Sequence, residues 1–163
     1  MSLLPTQRPI RHASLCCALL FTALIFFHKG FSQTLITTVA GMADQAGFSG
    51  DGGLATQARL NFPEGICFDP AGNMYISEYS NNRVRKVDGH TGIISTIAGN
   101  GIIGFSGDGG PAVNASFNHP WRLLVDGNNH LFISDYGNLR VRMVDLGTGI
   151  INTIAGDGTQ NYV

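Results

Sequence analysis

The sequence is poor in cysteine, tryptophan and charge. Of 163 residues, three are Cys, one is Trp and 13% are charged. Cys16 and Cys17 lie in an apolar run near the N-terminus, so Cys67 is the only cysteine after that run and no disulfide is expected within the part of the chain that follows it. A composition that is 44% hydrophobic excludes an intrinsically disordered chain. No basic patch is present, so a nucleic-acid partner is not expected.

The N-terminal segment, residues 1–32, contains three basic residues and no acidic one. Its apolar run, residues 13–27, is too short to span a bilayer, which takes about 20 apolar residues, so a membrane anchor is disfavoured. A short polar stretch with small residues ends at Ser32, as at a peptidase site. We therefore expect a signal peptide over residues 1–32 and a secreted or cell-envelope protein. The remainder has seven basic against eleven acidic residues, a formal charge of −4 that disfavours binding to a phosphate backbone.

Glycine, in contrast, is abundant, with 22 residues, and part of it lies in a repeat. The stretch FSGDGG at residues 48–53 returns unchanged at residues 105–110. An ungapped alignment of residues 48–93 with residues 105–150 matches 23 of 46 positions, which gives a period of 57 residues.

A second recurring motif sets the repeat boundaries. The stretch ITTVAG at residues 36–41 returns in related form at 94–99 and 151–156. The chain therefore contains repeat 1 at about 42–98, repeat 2 at about 99–155 and the edge of a third copy.

Within each repeat the pattern predicts four short strands joined by hairpin-length turns. In the first repeat these are Gly65–Asp69, Asn73–Glu78, Arg83–Asp88 and Ile93–Ala98. The first strand and its counterpart at 122–126 are almost wholly apolar, so we expect them to be interior, with Cys67 and Leu124 buried. Thr34–Ala40 is predicted as an outer strand.

Tandem four-stranded units with an apolar first strand suggest an all-β fold of β-propeller blades. The residues that carry a closer resemblance are Pro63-Glu64-Gly65-Ile66, Asp69, Gly72-Asn73-Met74-Tyr75-Ile76 and Glu78 to Val84. They resemble the NHL repeat, whose core runs P-x-G-[IV], D, G-N-x-[YL]-[IV], D-x-x-N-x-R-[IV]. The long inserts resemble those of secreted bacterial and teneurin-like members.

The second repeat keeps most of this pattern and departs from it at a few positions. It retains Pro120, Asp126, Leu131, Ile133, Asp135, Asn138, Arg140 and Val141. Arg122 replaces the usual Gly, Asn129-His130 replaces the Gly-Asn turn, and the family's central histidine is Asn82 in one repeat and Leu139 in the other.

The resemblance implies a ring of usually six blades, whereas two are present here. We therefore expect either a truncated propeller fragment of about two blades or a small trimer that completes six. Two blades leave two flanks uncovered, and we expect self-association through them. The flank residues are predicted to be Met74, Tyr75, Leu131 and Phe132.

Polar residues at matched positions of both repeats are expected to hold each blade together. These are Asp51 and Asp108, Glu78 and Asp135, Asn81 and Asn138, and Arg83 and Arg140. For the Gly-rich loop around Asp51, a turn is the favoured interpretation, and a calcium or phosphate site is the alternative.

Unmatched positions are better candidates for ligand contacts. His119, Trp121 and Arg122 stand where the first repeat has Phe62, Glu64 and Gly65, at the start of the first strand. We select His119, Trp121, Arg122 and Glu64 as weak ligand-binding candidates, since Trp and Arg are favoured at binding hot spots.

Two function classes remain open, besides a third possibility, a purely architectural shell domain. The first is a binding or scaffold module that contacts protein or glycan through the face formed by loops 41–63 and 99–120. The alternative is part of a propeller enzyme of the lyase or lactonase type, with a channel metal and its other blades missing. No nucleophile–base arrangement, metal site or cofactor is predicted, because the GxGxxG at 99–104 precedes no helix and the histidines lack ligand spacing.

Overall fold

The computed structural model describes residues 35–160, which form two four-stranded antiparallel sheets. The strands are β1 (Pro63–Phe68), β2 (Met74–Glu78), β3 (Arg83–Val87), β4 (Ile94–Ala98), β5 (Pro120–Val125), β6 (His130–Asp135), β7 (Arg140–Asp145) and β8 (Ile151–Ala155). Single 3-10 turns occur at Ala55–Gln57, Tyr79–Asn81, Ala112–Asn114 and Tyr136–Asn138. The predicted all-β class is confirmed. The predicted signal peptide, residues 1–32, lies outside the described residues, and none of the helices in 35–160 has the length and apolar character needed to cross a bilayer.

Each sheet is a meander in sequence order, β1 to β4 and β5 to β8, and is called a blade below. The turns between strands are stabilised by aspartates. After β1, the Asp69 carboxylate accepts the backbone N–H of Asn73 at 2.9 Å, and after β5 Asp126 accepts that of His130 at 2.8 Å. After β3, Asp88 accepts the N–H of Thr91 at 2.8 Å. These short polar turns explain why the predicted strands and the observed ones nearly coincide.

Alternation along the strands gives each blade two faces. The forward face of the first blade packs against the rear face of the second blade, and this contact is called the seam. The forward face contributes Cys67, Tyr75, Val84 and Ala98, and the rear face contributes Leu123, Val125, Leu131, Ile133, Val144 and Ile151. The rear face of the first blade carries the equivalent Met74, Ile76, Val87 and Ile94, which pack against Ala55 and Ala58 of the loop before β1. The protein therefore has one core in the seam and a smaller one under that loop.

The prediction of an interior first strand is wrong in part. Cys67 is half-buried in the seam, but Leu124 is 61% exposed and Phe68 is 62% exposed. Only one face of each inner strand has a neighbouring blade within the described residues. Cys67 is on the covered face of β1, whereas Leu124 is on the forward face of the last blade.

The predicted flank residues are also corrected. Met74, Tyr75 and Leu131 are at most 7% exposed, and Phe132 is partly buried. Met74 lies under the loop of its own repeat, while Tyr75 and Leu131 lie in the seam. The loop before β1, residues 41–62, is called the insert loop of the first blade, and residues 99–119 form that of the second. In the first blade this loop covers Met74, which a four-stranded sheet alone would expose.

The predicted strand Thr34–Ala40 does not form in its described part, residues 35–40. Its counterparts β4 and β8 each pair with the third strand of their own blade. No third strand is paired with residues 35–40 among the described residues. The loop that follows keeps the repeat geometry, since the Gly41 N–H donates to the Ala55 carbonyl at 2.9 Å, as Gly99 does to Ala112.

Candidate binding site at the start of the inner strands

Each blade buries one arginine completely. The side chains of Arg85 on β3 and Arg142 on β7 are 0% exposed. Arg85 Nη1 lies 3.3 Å from Glu78 Oε2, and Arg142 Nη1 lies 3.5 Å from Asp135 Oδ2. A buried charge without a partner is costly, so these carboxylates are required where they stand. Burial raises the pKa of Glu78, opposed chiefly by the charge of Arg85.

The FSGDGG loop closes over this arginine in the first blade. Arg85 Nη2 donates to Asp51 Oδ1 at 2.6 Å and to the Ser49 carbonyl at 3.2 Å. The ring of Phe48 lies against the guanidinium groups of Arg83 and Arg85, at 3.9 and 4.9 Å from centroid to Cζ. The motif therefore supplies an anion, a carbonyl and an aromatic face to one buried cation.

The second blade repeats this arrangement. Arg142 Nη2 donates to Asp108 Oδ1 at 2.7 Å and to the Ser106 carbonyl at 3.0 Å. The Phe105 ring lies 3.9 Å from Cζ of Arg140 and 4.8 Å from that of Arg142. We propose that Asp51 and Asp108 act structurally, because each carboxylate binds a buried arginine, although the aspartate side chains are 38% and 37% exposed. No group of three or more His, Cys, Asp or Glu side chains arranged to hold a metal ion occurs in residues 35–160.

The asparagines selected from the repeat join the β2–β3 turn to the insert loop. Asn81 Nδ2 donates to the Gly47 carbonyl at 2.7 Å and to Glu78 at 2.9 Å. Asn138 Nδ2 donates to the Gly104 carbonyl at 2.7 Å and to Asp135 at 2.8 Å. Burial raises the pKa of Asp135, while Asn138 opposes the shift.

The matched arginines Arg83 and Arg140 extend the same network to the next loop. Arg83 Nη2 donates to the Asn100 carbonyl at 2.8 Å, and Arg140 Nη2 donates to the Asp157 carbonyl at 2.5 Å. All eight residues selected from the repeat thus lie in contacts between a sheet and its loops.

Arg85 and Arg142, the centres of these networks, were not selected from the sequence. The signal that identifies them is their exact 57-residue spacing together with an acidic residue seven positions earlier.

The ligand candidates lie near the seam, where the chain enters each inner strand. His119 has a left-handed backbone, φ 57°, and its ring stacks on Tyr79 of the first blade with centroids 4.2 Å apart. Its backbone N–H donates to Asn82 Oδ1 at 3.0 Å. His119 is therefore a contact between the two blades.

Trp121 and Arg122 continue this group on the second blade. The Trp121 ring meets Tyr136 edge to face at 5.0 Å, and the Arg122 guanidinium lies 5.3 Å from the Trp121 ring. Arg122 and Tyr136 are exposed. Tyr79, His119, Trp121, Arg122 and Tyr136 are called the aromatic cluster below.

Glu64 is exposed on the first blade, outside the aromatic pairs. The neighbouring Gly65 is so close to β5 that a Cβ on it would clash with the Trp121 carbonyl oxygen. Glycine is therefore required at Gly65 by the approach of the second blade. Three of the four candidates, His119, Trp121 and Arg122, come together, while Glu64 stands on the adjacent strand.

A cleft of about 540 Å³ between the blades was missed by the sequence reasoning. Asp69, Tyr75 and Lys86 of the first blade and Asn129 of the second are among its lining residues. The Tyr75 hydroxyl donates to Asp69 at 3.0 Å. Burial first, and then this hydrogen bond, raise the pKa of Tyr75. Residues from two repeats form the cleft, so no single motif reveals it.

Comparison with known proteins agrees with this geometry. Residues 40–104 match the model of the teneurin NHL domain. Teneurin-m of Drosophila melanogaster is 33% identical over 105 residues, which are 58% of this chain and 4% of that protein. NHL repeat-containing protein 2 of Bos taurus is 28% identical over 117 residues, 68% of this chain and 15% of the relative.

The first blade is thus similar to an NHL repeat, and the second blade repeats its strand order. A solved structure of a protein of unknown function from Bacteroides thetaiotaomicron is similar, with a TM-score of 0.50, 29% identity and coverage of 58% of this chain and 23% of that one. The β-propeller fold class expected from the sequence is thus confirmed. The chain spans only a small part of each relative, so the activities of those whole proteins do not transfer to it.

Proposed function

We propose that this NHL-repeat chain is an exported binding or scaffold module that contacts a protein or glycan through its loop face. The observation that supports this proposal is the aromatic cluster. It places two exposed groups, Arg122 and Tyr136, around the half-buried ring of Trp121. Flat aromatic faces stack on sugar rings and apolar side chains, and a guanidinium binds carboxylates, so the cluster suits a ligand with apolar faces and negative charge.

The repeat comparison supports assigning binding to this cluster. Trp121 and Arg122 have no counterpart in the first blade, where Glu64 and Gly65 stand. A residue that every blade needs recurs, as the buried arginines do, whereas an unmatched exposed residue is free to serve a ligand. Export and residence in the cell envelope remain part of the proposal, supported by the N-terminal apolar run.

The single tryptophan allows a direct test, because its emission reports on the cluster alone. The purified chain is screened on a glycan array and against a panel of acidic peptides, and each hit is titrated by fluorescence. We expect a hit that changes Trp121 emission and binds at least about tenfold more weakly to Arg122→Ala. His90→Ala, in an exposed turn after β3, is the control and should bind like the wild type. A hit unaffected by Arg122→Ala, or no hit in either screen, contradicts the proposal.

A further inference from the structure

We infer that the chain associates head to tail with a second copy of itself. The forward face of the second blade docks on the rear face of the first blade of the next copy. The deciding test of this inference uses Leu124 and Phe68, which lie outside the aromatic cluster, so its failure can be told from failure of the proposed function. Arg122 and Tyr136 of the cluster would take part in both contacts.

The seam inside the chain is the template for this contact. Every apolar residue on the forward face of the first blade has an apolar equivalent on the open forward face of the second. The pairs are Cys67 and Leu124, Tyr75 and Phe132, Val84 and Val141, and Ala98 and Ala155. The rear faces correspond equally well, with Met74 and Leu131, Ile76 and Ile133, Val87 and Val144, and Ile94 and Ile151.

The parts of these faces that the described chain leaves uncovered are apolar and complementary. On the forward face, Leu124 is 61% exposed beside a groove of about 190 Å³ that Phe132 and Val141 also line. On the rear face, Ile66 and Phe68 are 57% and 62% exposed. Their equivalents in the second blade are partly buried against the seam core, so docking would bury Ile66 and Phe68 in the same way.

The residues that make polar and aromatic contacts in the seam also have equivalents on the two open faces. Tyr79 stacks on His119 within the chain, and the equivalent residues are Tyr136 and Phe62, both aromatic and exposed by 51% and 65%. The Ser77 hydroxyl donates to the Trp121 carbonyl, and the equivalent groups at the proposed contact are the Ser134 hydroxyl and the Glu64 carbonyl of the next copy.

One position distinguishes the seam inside the chain from the proposed contact between two copies. Gly65 allows the backbones to approach closely within the chain, whereas Arg122 occupies the equivalent site on the open face. The Cβ of Arg122 requires a wider seam between copies. Arg122 would there stand beside Glu64, which replaces the tryptophan of the internal seam. Opposite charges at this point make a second copy the fitting occupant, and the contact should weaken with salt.

A contact between two different faces is heterologous, which yields a ring if the rotation closes and an open chain otherwise. The test uses one variant for each face, Leu124→Glu and Phe68→Glu, at exposed positions where a charge should not unfold the blade. In sedimentation velocity we expect the wild type to associate as its concentration rises. Each variant alone should associate at least about tenfold more weakly.

A mixture of the two variants tests whether the contact is head to tail. Each variant keeps one intact face, so an equimolar mixture should form a one-to-one dimer and stop there. Ile102→Glu, in the loop of the second repeat rather than on either open face, should associate like the wild type. A wild type that stays monomeric overturns the inference, and so does association that survives in either variant. A mixture that forms no dimer also overturns it. Circular dichroism melting establishes that both variants are folded.

Charge reversal tests the Arg122–Glu64 contact separately. Arg122→Glu alone and Glu64→Arg alone should each weaken association several-fold, and the double variant should recover it because the pair is restored with opposite sign. Failure of the double variant to recover would contradict this alignment of the two faces.

Discussion

Arg85 in the first blade and Arg142 in the second occupy equivalent positions and make closely equivalent contacts. Each meets a buried carboxylate at the end of the second strand and an aspartate of its own Gly-rich loop. The blades differ instead at the residues that meet a neighbouring blade. Gly65 becomes Arg122, Phe62 becomes His119 and Asn82 becomes Leu139. Repetition therefore marks what each blade needs internally, and the unmatched positions mark where blades meet or where ligands have access.

A smaller difference lies within the networks themselves. In the first blade Thr96 Oγ1 donates to Asp51 Oδ2 at 2.7 Å. The equivalent Thr153 Oγ1 is buried and has no hydrogen-bond partner among the described residues, while Asp108 receives a second bond from Arg142 Nε at 3.1 Å. The two blades thus reach the same closure of the loop with different sets of hydrogen bonds.

The largest expected effect comes from removing the buried arginine of either blade, which tests whether the two blades are equivalent. Arg85→Met should lower the free energy of unfolding by about 3–5 kcal/mol, because Glu78 is left buried without its counter-ion. Arg142→Met should cost a similar amount through Asp135. Urea denaturation of both variants measures this, with Arg59→Met, an exposed arginine, as the control expected to lie within about 0.5 kcal/mol of the wild type. A loss below about 1 kcal/mol in either blade would contradict the equivalence.

The second prediction concerns the glycines that let the loop approach its own 3-10 turn. A Cβ on Gly50 would lie 2.7 Å from Ala58 Cα, and one on Gly107 would lie 2.7 Å from Ala115 Cα. Both also have left-handed φ, 90° and 95°. Substitution of either by alanine should cost about 3 kcal/mol, from strain and clash together.

The matched control for this pair is Gly52→Ala. Gly52 has φ 80° but nothing within 4 Å of its added Cβ, so it bears only the backbone strain, about 1–2 kcal/mol. If the melting temperature of Gly50→Ala is not lower than that of Gly52→Ala, the close approach of Gly50 to Ala58 is not required for stability.

Sequence reasoning found the repeat, the eight strands and the blade fold, because hairpin turns and alternation are local signals. It also found the matched polar residues, although not the arginines at their centre. Arg85 looks like a surface residue until the fold brings Asp51, 34 positions away, onto it.

The errors arose where burial depends on segments far apart in the chain. Met74 was expected on an exposed flank, but the preceding loop folds over it. Leu124 was expected inside because its strand is apolar, yet its side chain is on the face without a neighbour in the described structure. Periodicity identifies which residues share a face and cannot say what covers that face.

A milder comparison removes only the aromatic ring under the arginines. Phe48→Leu and Phe105→Leu keep an apolar side chain and lose the cation–π contact, so each should cost about 1 kcal/mol. The two values should agree, since the rings are 42% and 43% exposed and have matching distances to their arginines. Ile102→Leu, which exchanges one exposed apolar side chain for another outside both open faces, is the control in the same urea experiment. If the losses in free energy of unfolding for Phe48→Leu and Phe105→Leu differ by more than about 1 kcal/mol, the two loops are not equivalent.

The last prediction compares the covered forward face of the first blade with the open forward face of the second. It concerns the reactivity of a thiol and has the smallest expected effect on stability. Burial raises the pKa of the Cys67 thiol from 9.0 to about 11, with the Val125 backbone opposing the shift. The thiolate is the reactive form, so at pH 8 Cys67 should react with iodoacetamide roughly 100-fold more slowly than an unshifted thiol. Leu124→Cys in a Cys67→Ser background places a thiol at the equivalent position of the open face and should react at the unshifted rate in dilute protein. The rate at Cys67 should keep rising with pH toward about 11, because deprotonation there is complete only above its raised pKa. Equal rates at the two positions, measured by mass spectrometry, would mean that the blades do not cover Cys67 as the seam requires.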